Sequence, residues 1–159
     1  MTLIIDGHNL IPRIQGLSLA DPEDEDKLIH LLQDYARIRR KSVEVFFDKA
    51  SAGQAGERRY GQVRAHFVRD TITADDAIMA RLRQLGKRAK NYTVVSSDHQ
   101  VRRAAQAVHA TVMTSEDFSA AWQAIQDSTP ELDPRNRLLA EDEVSEWEQF
   151  FKRGHRPEK

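Results

Sequence analysis

Thr2-Leu3-Ile4-Ile5-Asp6-Gly7-His8-Asn9 runs three apolar, β-favouring residues straight into an acid, a glycine and two further polar side chains. A short apolar run of this kind suits a strand buried on both faces, as in a parallel sheet. Gly7 suits a sharp turn at the strand's end. Asp6 and Asn9 arrive together at the tip, where open α/β sheets bind their ligands. Read alone, the stretch is equally an ordinary polar turn, for which Asp-Gly and Asn are common residues. The rest of the chain decides between site and turn.

Working outward, residues 12–22 read as a connection and 22–41 as a helix, with Pro22 in its first turn. Acids load its start and Arg37, Arg39, Arg40 and Lys41 its end, complementing the helix dipole. Leu28, Leu31, Leu32, Tyr35 and Ile38 recur at helical spacing and supply the buried face. Residues 42–48 form a second strand, again ending in an acid, Asp48. The Gly-, Ala- and Ser-rich stretch 49–62 is expected as an exposed loop bearing Arg58, Arg59 and Tyr60. Further strands fall at 63–68, 92–96 and 110–113, with helices at 74–90, at 98–108 and from Thr114 onward. Strands alternating with helices predict right-handed crossovers and a mainly parallel sheet of about five strands covered on both sides, an α/β/α sandwich. Residues 128–137 read as a linker, and 138–151 as an amphipathic segment ending in Trp147, Phe150 and Phe151, expected to dock on the domain.

The chain has 159 residues, 40% hydrophobic and 31% charged, which fits one soluble domain on residues 1–127 followed by that short C-terminal part. It has no cysteine, so disulfides and thiolate metal sites are excluded. No apolar stretch approaches the ~20 residues of a membrane span. With no basic leader at the start, the expected location is the cytoplasm. The net charge of −1 hides an asymmetry: residues 37–109 hold 16 Lys/Arg against 7 Asp/Glu. A basic middle is the footprint of a phosphate-backbone partner.

The acids carry the chemistry. The apolar stripe Ile78, Leu82, Leu85, Ala89 runs back by a step of three onto Asp75, and the stripe Val101, Ala105, Val108 runs back onto Asp98. Both aspartates therefore fall on the core-facing side of a first helical turn, beside the strand tips. An inward carboxylate is costly unless paired or bound to a cation. Asp76 and Asp117 are equally explained as partners of Thr73 and Thr114 in capping boxes. Carboxylates without cysteine or spaced histidines favour Mg²⁺ or Mn²⁺ over zinc. Such ions activate a water and stabilise the leaving oxygen of a phosphodiester. Asp6 becomes the expected central ligand and Asn9 its nearest helper. His8 and His99 lie near by sequence without metal-ligand spacing and are set aside. Arg58, Arg59 and Tyr60, with Ser97 and Arg102 near the fourth strand's end, are the expected substrate contacts, suited to stacked bases and phosphates of a single strand.

The segments IIDGHN at 4–9, FFD at 46–48, TADDAI at 73–78 and VVSSDHQV at 94–101 together resemble the NYN domain of the PIN-like nuclease superfamily, in its YacP-like branch. The resemblance spans residues 2–126 and implies a compact α/β/α sandwich with the activity of a divalent-metal-dependent ribonuclease. It carries the family's acidic positions onto Asp6, Asp75, Asp76 and Asp98, with Asn9 beside them and Asp48 as an outer ligand. Where relatives often have Glu in the third of these segments, this chain has two aspartates. The expected partner is RNA, mRNA in particular, with the ribosome as a further candidate. A non-catalytic RNA- or ribosome-binding module with a vestigial metal site is the alternative. A phosphohydrolase or receiver-like domain is disfavoured, because the first strand lacks an Asp-x-Asp pair and no lysine follows the fifth strand.

Overall fold

The structure, a computed structural model, describes residues 1–51 and 53–128. The linker and amphipathic segment expected at 128–151 lie outside the described residues from 129 onward. The first of the chain's two compact units is Met1–Ala120, and it contains the whole sheet.

Strand β1 (Thr2–Asp6) is central, as its apolar run requires: Leu3, Ile4 and Ile5 are all buried. Its tip continues into a short helix, α1 (Gly7–Leu10), and a 3₁₀ turn at Ile11–Arg13. Of the residues read as a connection, Pro12 and Arg13 belong to this 3₁₀ turn and Ile14 is buried, while Leu10 and Ile11 just before them are core residues as well. Helix α2 (Asp24–Arg39) then leads to β2 (Ser42–Ala50), with a bulge between Phe47 and Ala50 where Lys49 takes a φ of 65°. A hairpin follows, β3 (Gly56–Tyr60) and β4 (Val63–Arg69), then α3 (Ala74–Leu85) and β5 (Tyr92–Val95). Helix α4 (His99–Ala107), β6 (Thr111–Met113) and α5 (Ser115–Ser128) complete the described chain.

The sheet has six strands in the order β3-β4-β2-β1-β5-β6. All neighbours are parallel except β3 against β4. The architecture is the expected α/β sandwich with one strand more than expected. The extra strand is β3, inside the stretch read as a loop. It is an exposed edge strand with polar side chains, so it carries no apolar alternation. Gly61, at a φ of 65°, opens the two-residue turn that joins Tyr60 to its partner Val63. Arg58 and Arg59 consequently point to opposite faces of the sheet. Arg58 lies 4.9 Å from the Phe67 ring centroid, whereas Arg59 pairs with Arg64.

On one face, α3 and α4 lay Ile78, Leu82, Leu85, Val101 and Ala105 on Ile4, Phe46 and Val94. On the other, α2 packs against β2 and β4. Strand β1, flanked by β2 and β5, is the point from which the crossovers run both ways. Ligand crevices form at the carboxyl ends of strands at such a point.

Candidate active site

Asp6 ends β1 at that carboxyl edge of the sheet and is only 6% exposed. Its carboxylate caps α1 through one long bond, accepting from the Asn9 N–H at 3.4 Å. Asp75, in the first turn of α3, shares a hydrogen bond with it. Burial, and then the hydrogen bond and charge of Asp75, push the Asp6 carboxyl up to about 7. Burial also raises Asp75, and the charges of Asp98, Asp48 and Asp76 raise it further, against the hydrogen bond from Asp6. Two carboxyl groups in contact cannot both ionise cheaply, so the pair keeps a shared proton well above the ordinary carboxylate range.

Asp48 sits at the bulge of β2, which re-aims its side chain. Its Oδ1 meets His8 Nδ1 at 2.8 Å and its Oδ2 accepts from the Ala74 N–H at 3.4 Å. The other ring nitrogen of His8 lies 2.7 Å from Glu25 of α2. The hydrogen bond to Glu25 raises the imidazole to about 9 against the cost of burial, and the bond to Asp48 adds to the rise. His8, which sequence reasoning set aside, thus joins α2 and β2 and steers Asp48. Glu25 was equally unseen, having been read as one of the acids of a helix start.

Asp98 is the N-cap of α4, accepting from Gln100 N–H at 2.9 Å and Val101 N–H at 3.1 Å. Asp76 is exposed, and its N–H donates to the Thr73 hydroxyl at 3.0 Å, the capping role anticipated for this pair. Thr114 does the same for Asp117 N–H.

Asn9 is a clamp. Its Oδ1 accepts from Ser97 N–H at 3.0 Å and from the Ser115 hydroxyl at 2.6 Å, tying the tips of β1 and β5 to the start of α5. The Ser97 hydroxyl donates to Glu116 at 2.6 Å and accepts from Ser115 N–H at 3.1 Å. Arg13 holds Glu116 from the far side at 2.7 Å. Arg102 follows Asp98 by one turn of α4, and its buried Nε has no hydrogen-bond partner among the described residues. Of the expected substrate contacts, Ser97 and Arg102 lie beside the acids, while Arg58, Arg59 and Tyr60 belong to the β3 edge.

Gly7 is explained by packing rather than by its φ. A Cβ there would fall 2.3 Å from Phe47 Cε1 and 2.5 Å from Cδ1, so the chain approaches the ring as only glycine permits.

This mainly parallel sandwich, with a buried acid at the tip of its central strand, has a PIN-like nuclease fold. Within that class the model of the YacP-like NYN domain matches residues 3–152, and the chain belongs to this family. The crystal structure of Rae1 (YacP) from Bacillus subtilis superimposes with a TM-score of 0.68 at 19% identity, covering 96% of this chain and 88% of that one. Its W164L mutant gives 0.65 at 22% identity, covering 80% and 77%. No curated protein sequence matches the chain. Among the described residues, no helix is long and apolar enough to cross a membrane.

Proposed function

We propose that the protein is a divalent-metal-dependent endoribonuclease that hydrolyses phosphodiester bonds of single-stranded RNA. The observation that carries this reading is the Asp6–Asp75 contact: a buried acid crowded by a half-buried one, with one long N–H bond as the only backbone donor to Asp6 among the described residues. A donor set made of carboxylate oxygens suits Mg²⁺ or Mn²⁺, which takes one or two direct carboxylates and completes its shell with water and phosphate oxygens. Asp6 and Asp75 would hold such an ion, with Asp98, Asp76 and Asp48 as further or water-mediated ligands. When bound, the ion would supply activation of a water and stabilisation of the leaving oxygen.

The chain's own groups do the rest. Asp6 and Asp75 hold a proton between them until a cation replaces it. His8 and the Ala74 N–H fix Asp48, keeping the start of α3 against β2. The Asn9 carbonyl is engaged in the clamp, which leaves its amide nitrogen to donate to a substrate oxygen. Arg102, one turn after Asp98 in α4, is the cation assigned to a substrate phosphate.

The test is cleavage of a mixed-sequence RNA by purified protein with Mn²⁺, and its loss in Asp75→Asn and Asp98→Asn. Asparagine keeps the cap of α4, so loss in Asp98→Asn reports on charge. Cleavage at the wild-type rate by both variants sinks the reading. One observation favours the non-catalytic alternative: among the described residues, no three His, Asp or Glu side chains converge as a ready-made metal cage. That alternative wins if RNA binds and no metal supports cleavage.

A further inference from the structure

The opposite end of the sheet holds a second polar site. A cavity of about 260 Å³ opens where β1, β2, β4 and β5 begin, closed by the β3–β4 turn and by α3. Its lining includes three arginines, Arg59, Arg64 and Arg81, and one acid, Glu44.

Register explains the convergence. Ile4, Glu44, Arg64 and Arg59 are successive cross-strand partners, so they form one row on the face that carries α3. Arg59 and Arg64 stand directly opposite each other, a like-charge pairing that costs stability unless something answers it. Two of the guanidinium groups are fixed by acids. Arg81 forks onto Glu44 through Nε at 2.9 Å and Nη2 at 2.8 Å, and Arg64 Nε meets Glu57 at 2.9 Å. Arg59 has no partner among the described residues. Burial opposes ionisation of Glu44, but His66 and Arg81 hold it down to about 2, so its charge is permanent and already committed. The site therefore has no free acceptor for a cation. It has one uncompensated positive charge and several unused N–H donors on arginines already locked in place.

Such a site fits an anion with several oxygen acceptors. Its volume lies below the ~300–1,000 Å³ of ordinary small-molecule sites and suits a phosphate group. Thr2 at this cavity and Asp6 are four residue steps apart, about 13 Å along β1. We infer that the cavity is a phosphate subsite for the RNA strand, holding a backbone phosphate away from the bond that is cut, with Arg59 as the principal contact. The inference rests on the nuclease reading for the identity of its strand.

The experiment separates the two. Binding of a fluorescent single-stranded RNA oligomer to the full chain is followed by anisotropy in EDTA, where cleavage is silent, across a range of salt. Arg59→Ala should weaken binding about tenfold, as for one lost charge-assisted bond. It should also lower the slope of log K against log salt by about 0.7. Arg59→Lys should restore the slope and only part of the affinity, and Arg37→Ala, a charge-matched change at the end of α2, should do neither. Circular dichroism melts establish that each variant is folded. Wild-type affinity and slope in folded Arg59→Ala overturn the subsite. Inorganic phosphate that binds in an Arg59-dependent manner while RNA binding ignores Arg59 overturns the strand as its occupant. Arg59-dependent RNA binding without Mn²⁺-supported cleavage keeps the subsite and removes the nuclease reading; cleavage with Arg59-independent binding does the reverse.

Discussion

Asp6→Asn should make the metal-free protein more stable while removing the proposed nuclease activity. The folded Asp6 carboxyl titrates near 7 against an ordinary value of 3.8, a rise of about three units. The folded state therefore binds more protons than the unfolded chain across this window. The resulting stabilisation is fully present below 3.8, declines as pH rises, and is lost above about 7. At 1.36 kcal/mol per unit the ionised fold is disfavoured by roughly 4 kcal/mol, an upper figure because Asp75 shares the proton. Asparagine removes the charge and still offers a carbonyl to the Asn9 N–H. A gain of roughly 2–4 kcal/mol at pH 8 corresponds to some 5–15 °C in Tm for a chain of this size. Thermal melts in EDTA from pH 3.5 to 8.5 should show the wild type losing Tm towards high pH and Asp6→Asn holding it. Added Mg²⁺ should raise the wild-type Tm at pH 8 and leave the variant unmoved. An Asp6→Asn variant that melts at or below the wild type at pH 8, with a parallel pH profile, would show that the buried Asp6 charge does not cost the fold stability.

Three further outcomes follow from the same geometry. Gly7→Ala drives a methyl to within 2.5 Å of the fully buried Phe47 ring, so an overpacking loss of about 1–3 kcal/mol is expected in chemical denaturation; Phe47→Leu in the same chain should recover part of it. Asn9→Ala strands the Ser97 N–H and the Ser115 hydroxyl and should lower stability by about 1–3 kcal/mol, with faster hydrogen exchange at Ser97. Glu44, held down to about 2 from 4.5, stabilises the fold fully above 4.5 and progressively less as pH falls to 2. That loss, about 3 kcal/mol, should be missing from the acid denaturation curve of Glu44→Gln.

The fold was legible wherever burial left a period in the sequence. The run Leu3-Ile4-Ile5 marks a strand covered on both faces, and Ile78, Leu82 and Leu85 mark a helix face covered on one side, because in each case the covering surface selects the residues. Strand β3 left no such trace. Its side chains lie on an edge in contact with solvent, so only Gly61 and the two-residue turn betray it. Helix α3 was read too long for a related reason. Ala89 continues the apolar stripe and is buried, but Gly86 ends the α-helix and a 3₁₀ segment carries Ala89 into the core instead.

For the candidate site the same division separates position from partnership. Asp75 was visible because an acid on an apolar stripe contradicts the pattern around it, and the contradiction lies within a few residues. Asp98 was found on the same argument, yet it stands just before the helix and caps it, its stripe position following from the first turn it closes. His8 contradicts nothing locally. Its partners Glu25 and Asp48 are 17 and 40 residues away, and one of them is aimed by a bulge that sequence does not announce. Arg59 is the converse case: expected as half of a flexible Arg58–Arg59 pair, it is separated from Arg58 by the strand's alternation and meets Arg64 and Arg81 instead. Charge counting located the basic middle, but only the pairing register turns it into a particular arginine on a particular face. The carboxyl end of the sheet gathers the acids and the amino end gathers arginines, so under the proposed reading a cation held by the acids, together with Arg59, would give an RNA strand two points of attachment along one face.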